Sequence, residues 1–210
     1  MKKLISDIKT LYKYYYPTSL SLKIYIFLRL LVANFNVLIS YLPDSGKVLD
    51  LGCGFGLLSN LIAEKKKQML VYGVDIDVKR INLAKSSIKQ RKNINFKVSD
   101  LNKIQNFGNS RCIIMFDLLH HLPRNTQKNL IKTASINLEA KGILLIKEID
   151  KKPGWKYYVN YIHDKLANGG ELFFRSGEQW MKLMENEGFI VQFRTYGVIY
   201  PHILLIGVKK

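Results

Sequence analysis

The chain has 210 residues and a mass of 24.3 kDa, which fits one domain able to bury roughly 70% of its unfolded surface. Two cysteines give no information about a disulfide framework. A formal net charge of +17 favours phosphates, anionic lipid headgroups or acidic substrates over neutral partners.

Lysine carries most of this charge, with 26 Lys against 7 Arg. Nucleic-acid-binding proteins rely on the forked guanidinium of Arg, so this ratio weakens the inference of a nucleic-acid partner. Asn and Ile are abundant beside Lys, which is also typical of a compositional bias. A functional basic surface and such a bias both stay open.

The N-terminal residues, 1–45, are basic and then apolar. Residues 20–42 are apolar almost all round, but the uncharged residues 30–42 are too few for a membrane span, which needs about 18. Two hypotheses remain for this extension: a helical lid over the binding site, or an interfacial helix that docks residues 1–42 on an anionic membrane.

Residues 48–56 (VLDLGCGFG) form the most informative motif of the chain. An apolar run passes through Asp50 into glycines at 52, 54 and 56, which predicts a buried strand, a tight turn and a helix N-terminus. This arrangement holds nucleotide-like ligands.

The remaining chain alternates between strand and helix patterns until its tail, which predicts a parallel sheet covered on both faces. Residues 189–196 and 203–208 are joined too closely for a crossover helix and are therefore predicted to be antiparallel. Further predicted strands are 69–74, 94–98, 112–116 and 142–147, and predicted helices are 57–67, 78–91, 125–138 and 178–187.

Four motifs in order carry a family resemblance: residues 48–56, 72–77 (YGVDID), 98–101 (VSDL) and 116–123 (FDLLHHLP). Residues 46–210 resemble the class I S-adenosylmethionine-dependent methyltransferases. The resemblance implies an α/β, Rossmann-like fold with a seven-stranded, mostly parallel sheet and a C-terminal antiparallel hairpin. The LHHLP sequence after strand four is similar to the small-molecule and lipid-type members.

The resemblance also implies a binding site for S-adenosylmethionine and its product S-adenosylhomocysteine (SAH). Asp50 would pair with the cofactor ammonium, Asp75 with the ribose hydroxyls and Asp100 with the adenine amino group. Stabilisation of a turn by Asp50, and helix capping by the other two, are the alternatives. The implied cofactor-binding residues are Asp50, Gly52, Cys53, Gly54, Gly56, Asp75, Ile76, Asp100, Leu101, Phe116 and Asp117.

Candidate acceptor-side groups follow strands four and five. His120 or His121 could act as a base, since an unperturbed His titrates near pH 6.5, or the pair could cap a short helix or pack beside Pro123. Glu148 and His163 are the candidates after strand five, within an insertion rich in aromatic residues. No Asp-Asn pair like that of catechol-type enzymes is present, so no metal is expected.

The competing classes differ from this pattern. A nicotinamide-dependent dehydrogenase needs its third glycine at 57, where Leu57 stands. Base-modifying amino methylases carry Asn/Asp-Pro-Pro-aromatic where residues 117–120 read DLLH. A methyltransferase for a small-molecule or lipid-like acceptor is therefore favoured, with oxygen preferred. A tRNA or rRNA methyltransferase and a catalytically silent scaffold are the alternatives.

Cellular location follows from the cysteines and the N-terminus. Cys53 and Cys112 show no CxxC spacing, and no secretory leader pattern is seen. We expect a cytoplasmic protein, with association at the inner face of the membrane if the N-terminal extension docks there. The sequence does not predict an oligomeric state.

Overall fold

A computed structural model describes residues 2–101, 103, 106, 108–150, 171–196 and 202–210 of the chain. The chain divides into two compact units, Met1–Leu101 and Asn102–Lys210. The aromatic insertion at 151–170, including the candidate His163, lies outside the described residues.

The first unit places three helices before a parallel βαβαβ unit. The helices are α1 (Lys2–Tyr15), α2 (Leu20–Ala33) and α3 (Phe35–Ile39), and the βαβαβ elements are β1 (Ser45–Leu51), α4 (Leu57–Lys65), β2 (Gln68–Asp75), α5 (Val78–Ser86) and β3 (Ile94–Val98). β2 pairs in parallel with β1, with Asp50 opposite Gly73, and with β3, with Asp75 opposite Val98. The carboxyl ends of these strands therefore share one edge.

The second unit continues the strand–helix alternation and then turns antiparallel. Its elements are β4 (Ser110–Phe116), a 3-10 helix (Leu119–His121), α6 (Arg124–Asn137), β5 (Leu138–Ile149), α7 (Gly177–Asn186), β6 (Phe189–Tyr196) and β7 (His202–Lys209). β4 and β5 pair in parallel, whereas β7 is antiparallel to both β5 and β6. This confirms the predicted terminal hairpin.

The seven strands have the order β3-β2-β1-β4-β5-β7-β6. The carboxyl-terminal halves of β1 and β5 and nearly all of β4 are buried and mostly apolar, as expected for a sheet covered on both faces. The predicted Rossmann-like fold is thus confirmed.

Two helical segments depart clearly from the pattern that the sequence predicts, whereas the other predicted helices differ by one or two residues. The helix predicted over 78–91 ends at Ser86, because Lys89 has a left-handed φ of 54° and Arg91 turns its guanidinium back toward the carbonyls of Ser87 and Ile88. The apolar segment 20–42 is broken at Asn34, whose φ of 44° separates α2 from α3.

Within the described ranges, none of the helices combines the length and the apolar character that crossing a membrane requires.

Candidate functional site

The glycine turn after β1 is held by backbone hydrogen bonds. The amides of Gly52 and Cys53 donate to the carbonyl of Val74 at 2.8 and 3.0 Å, and the amide of Gly56 donates to the carbonyl of Cys53 at 2.8 Å. Gly54 has a φ of 54°, and a Cβ added there would meet no described atom within 4 Å. The backbone at Gly54 therefore faces open space that a ligand can approach.

Gly56 has a different explanation. A Cβ at this position would lie 2.6 Å from the ring of Phe96, and its φ of 78° is left-handed. The third glycine of the motif is thus required by packing beneath the turn, so close approach of a ligand is not needed to explain it.

Asp50 is a buried carboxylate just before the turn. Its Oδ2 accepts a hydrogen bond from Ser59 Oγ at 2.6 Å, and none of the described Lys, Arg or His side chains forms an ion pair with it. Burial, followed by the negative charge of Asp75, raises the pKa of Asp50 to about 7. A cationic group bound here would relieve that cost.

Asp75 ends β2 and supports the same turn. Its Oδ2 accepts from the amide of Gly54 at 2.8 Å and its Oδ1 from the amide of Asp77 at 2.9 Å. Helix capping was the alternative role for Asp75. In the structure Asp77 caps α5, because its side chain accepts from the amides of Lys79 and Arg80.

The other predicted residues of the first unit lie at the same strand ends. Ile76 follows β2 and is mostly exposed, while Asp100 and Leu101 follow β3 and are half-buried and buried. Cys53 is half-buried, and burial with the charges of Asp50 and Asp75 raises the pKa of its thiol, so it stays protonated.

A polar network that the sequence did not predict lies behind the turn. Tyr15 of α1 donates to the carbonyl of Phe55, and its hydroxyl accepts from Asn60 Nδ2 at 2.9 Å. Asn60 in turn accepts from the guanidinium of Arg91 and donates to Ser87 Oγ. The tyrosine run before Pro17 was visible in the sequence, but its partners are 40 or more residues away.

Glu148 organises the strand ends of the second unit. Its Oε1 accepts from the amides of Leu118 and Leu119 at 3.2 and 2.7 Å, and its Oε2 lies 2.6 Å from His120 Nδ1. Both side chains are buried, and the ring of His120 stacks on Phe174 with centroids 5.0 Å apart. Because a carboxylate oxygen accepts hydrogen bonds, Nδ1 of His120 is the donor in this contact.

His121 is exposed, unlike its neighbour. Its ring centroid lies 4.0 Å from that of His120. Both residues form the 3-10 helix, which Gln127 fixes by donating to the carbonyls of Leu119 and Leu122 at 2.9 and 3.0 Å. Arg175 donates to Gln127 Oε1 at 2.7 Å, which completes this support.

Phe116 and Asp117 end β4 beside a buried lysine. Lys147 Nζ forms an ion pair with Asp117 and lies 4.8 Å from the Phe116 ring centroid. Asp117 has a left-handed φ of 50°. Lys147 appeared in the sequence only as part of a strand, because no spacing rule links it to a residue 30 positions earlier. The part of the chain that the structure describes contains no group of three or more His, Cys, Asp or Glu placed to bind a metal.

The fold and these strand-end residues define a class I methyltransferase architecture. The family model described as "Methyltransferase domain" matches residues 24–192, and the chain belongs to this family. The prediction of the family is thereby confirmed, and the similarities support S-adenosylmethionine as the cofactor.

Individual proteins agree with this assignment. Ubiquinone biosynthesis O-methyltransferase of Coxiella burnetii is 33% identical over 133 residues, which cover 58% of this chain and 53% of that protein. The chain thus spans about half the length of the curated relatives it matches. Magnesium protoporphyrin IX methyltransferase of Synechocystis with bound SAH has a TM-score of 0.72 at 19% identity, covering 100% of both chains. An O-methyltransferase family protein of Burkholderia thailandensis has a TM-score of 0.73 at 20% identity, covering 88% of this chain and 57% of that one.

Proposed function

We propose that the protein transfers a methyl group from S-adenosylmethionine to a small-molecule or lipid-like acceptor, with oxygen as the preferred atom. The observation that carries this proposal is Asp50, a buried carboxylate without a cationic partner among the described residues, two positions before a glycine turn. The open backbone at Gly54 supports the same ligand.

Cofactor binding is assigned to the first unit. Asp50 would hold the cofactor ammonium, Gly52 to Gly54 the methionine portion and Asp75 the ribose. Asp75 is already held by two amides, and each of its oxygens keeps a lone pair for a hydroxyl. Asp100, Leu101 and Ile76 would bind the adenine. When bound, S-adenosylmethionine supplies a methyl group activated by a sulfonium.

Acceptor activation is assigned to His121, with His120 and Glu148 as positioning residues. His121 is exposed, so it can take a proton from an acceptor hydroxyl. Glu148 fixes His120 and two amides of the same short helix, which supports the orientation of the neighbouring imidazole. We also propose that the methyltransferase domain begins at residue 46 and that His163 acts on the acceptor side.

Ligand binding tests the cofactor assignment directly. SAH should raise the melting temperature of the protein, and Asp75→Ala should abolish most of this rise. Asp77→Ala is a matched control, because it removes the cap of α5 but not the proposed ribose contact. No rise in the unmutated protein would contradict the cofactor assignment and favour the scaffold alternative.

Acceptor identity requires a separate measurement. Mass spectrometry of small molecules that copurify with the protein should find an aromatic or lipid-like alcohol, and His121→Ala should lower kcat about 100-fold with little change in SAH affinity. Methylation of bulk tRNA or rRNA in the absence of such an acceptor would instead favour the nucleic-acid alternative. An unchanged kcat would indicate that the acceptor arrives already ionised.

A further inference from the structure

Helix α2 leaves one of its faces uncovered within the described structure. Its buried residues, Ile26, Leu30 and Ala33, pack on one side of the helix. The opposite stripe is also apolar, and its side chains are 42% to 73% exposed: Leu20, Ile24, Phe27, Leu28 and Leu31. Exposed apolar stripes of this size mark interaction surfaces, because they cost free energy in water.

The neighbouring charges are almost all positive. Residues 2–42 contain five Lys and one Arg, and their single carboxylate, Asp7, is buried and paired with Lys65 at 2.5 Å. The exposed face of α1 carries Lys2, Lys9 and Lys13. Helices α1 and α2 pack together, so one helical pair carries both the exposed lysines and the apolar stripe. This combination complements a bilayer, whose anionic headgroups lie above its apolar interior.

The same helices contact the glycine turn. The ring of Tyr25 in α2 meets the ring of Phe55 edge-on, with centroids 5.1 Å apart, and Tyr15 of α1 donates to the carbonyl of Phe55. A surface that binds α1 and α2 therefore lies close to the proposed cofactor turn. This position suits an enzyme that collects an apolar acceptor from a membrane.

We propose that the exposed stripe of α2 and the lysines of α1 dock the protein on an anionic lipid bilayer. The stripe inserts among the acyl chains at the interface while Lys9 and Lys13 contact the headgroups. This surface contains none of the residues proposed to bind the cofactor or the acceptor. The proposal therefore stands or fails independently of methyl transfer.

Sedimentation with large unilamellar vesicles tests the proposal on the full chain. The protein should pellet with vesicles of phosphatidylglycerol and phosphatidylcholine at low salt, and about tenfold less with phosphatidylcholine alone. Leu28→Glu should lower the partition coefficient about tenfold or more. Ile136→Glu is the matched control, because Ile136 is 67% exposed on α6 in the other unit.

The contribution of the lysine charges is tested by two double variants, one on α1 and a control on α6. Lys9→Gln with Lys13→Gln should lower binding about thirtyfold at low salt and have little effect at high salt, since each interfacial lysine contributes about 1 kcal/mol. The same substitution pair at Lys128 and Lys132, exposed on α6, should leave binding unchanged.

Three outcomes would overturn the proposal. The first is that the wild type does not pellet with anionic vesicles. The second is that Leu28→Glu binds as tightly as the wild type. The third is that light scattering shows a dimer that Leu28→Glu converts to a monomer. The last result would assign the stripe to a second copy of the chain. SAH binding by Leu28→Glu, measured in parallel, shows that the variant is folded and separates this proposal from the proposed function.

Discussion

The two units of the protein each bury a carboxylate on a parallel strand, and the two carboxylates are satisfied differently. Asp50 on β1 and Glu148 on β5 are both 1% exposed. Glu148 accepts hydrogen bonds from two amides and lies against His120. Asp50 accepts hydrogen bonds from the hydroxyl and the backbone of Ser59, and no described cation pairs with it.

Under the proposed function, this difference separates a structural acid from an acid that would bind the ligand ammonium. Glu148 accepts hydrogen bonds at the 3-10 helix that carries His120 and His121. Its two oxygens therefore already have partners within the fold. Asp50 has no cationic partner among the described residues, and burial raises its pKa to about 7. A buried acid in that state lowers stability in the absence of ligand and gains most from a bound cation.

The largest expected effect is the loss of stability in Glu148→Ala. The substitution leaves two amides and His120 buried without their acceptor, so the free energy of unfolding should fall by about 3 to 5 kcal/mol. Urea denaturation monitored by circular dichroism measures this change. Glu139→Ala, an exposed position on the same strand, should change stability by less than about 0.5 kcal/mol. Equal effects at the two positions would show that Glu148 does not have this structural role.

Asp50→Asn should have the opposite effect on stability and a large effect on binding. Removing a buried negative charge while keeping the shape should raise the free energy of unfolding at pH 8 by roughly 1 to 3 kcal/mol. SAH affinity should fall by at least about tenfold, because the ligand ammonium loses its ionic partner. Urea denaturation and isothermal titration calorimetry measure the two changes, and a destabilised variant that still binds SAH normally would reverse the assignment.

The pH dependence of stability provides a second test of the same carboxylate. Its folded pKa of about 7 lies above the ordinary value of 3.8, so the folded state retains a proton that the unfolded state loses between these values. The stability contributed by Asp50 is therefore full below pH 3.8 and is lost as the pH rises through 7, with a slope of up to about 1.4 kcal/mol per unit. The Asp50→Asn curve should lack this component, and parallel curves would contradict the raised pKa.

Much of the fold was predictable from sequence because its signals are local. The strands begin and end within a few residues of the predicted bounds, and 94–98 and 189–196 agree fully. Parallel buried strands carry continuous apolar runs, and the short tail connection leaves only an antiparallel arrangement. The end of α5 was wrong because the left-handed φ of Lys89 depends on the tertiary contacts of Arg91.

The candidate site was predictable where its residues lie at the end of a strand or directly after it. Asp50, Asp75 and the glycines between them are of this kind, and the structure adds the contact between Gly54 and Asp75. The support of the site depends on partners about 30 residues or more away, such as Glu148 with His120 and Lys147 with Asp117. The sequence does not predict that Asp50 and Glu148 have different hydrogen-bond partners, because each is simply an acidic residue in an apolar strand.

The smallest expected effect is at Ser59, the hydroxyl that donates to Asp50. Its hydrogen bond favours the ionised carboxylate, so Ser59→Ala should raise the pKa of Asp50 further. Since the carboxylate must ionise to pair with the ligand ammonium, SAH affinity in the wild type should rise as the pH increases toward about 7 and level off above it.

In Ser59→Ala the midpoint of this binding curve should move upward by about 0.5 to 1 pH unit, as expected for a hydrogen bond of about 1 kcal/mol. Calorimetric titration with SAH measures the midpoint. A range from roughly pH 5.5 to 8.5 spans the pKa of Asp50. Ser86→Ala, at an exposed hydroxyl that donates to the carbonyl of Leu83, is the control and should leave it in place. If both variants keep the wild-type midpoint, Asp50 is not the group that couples SAH binding to pH. Asp50 would then be a structural acid, as Glu148 is.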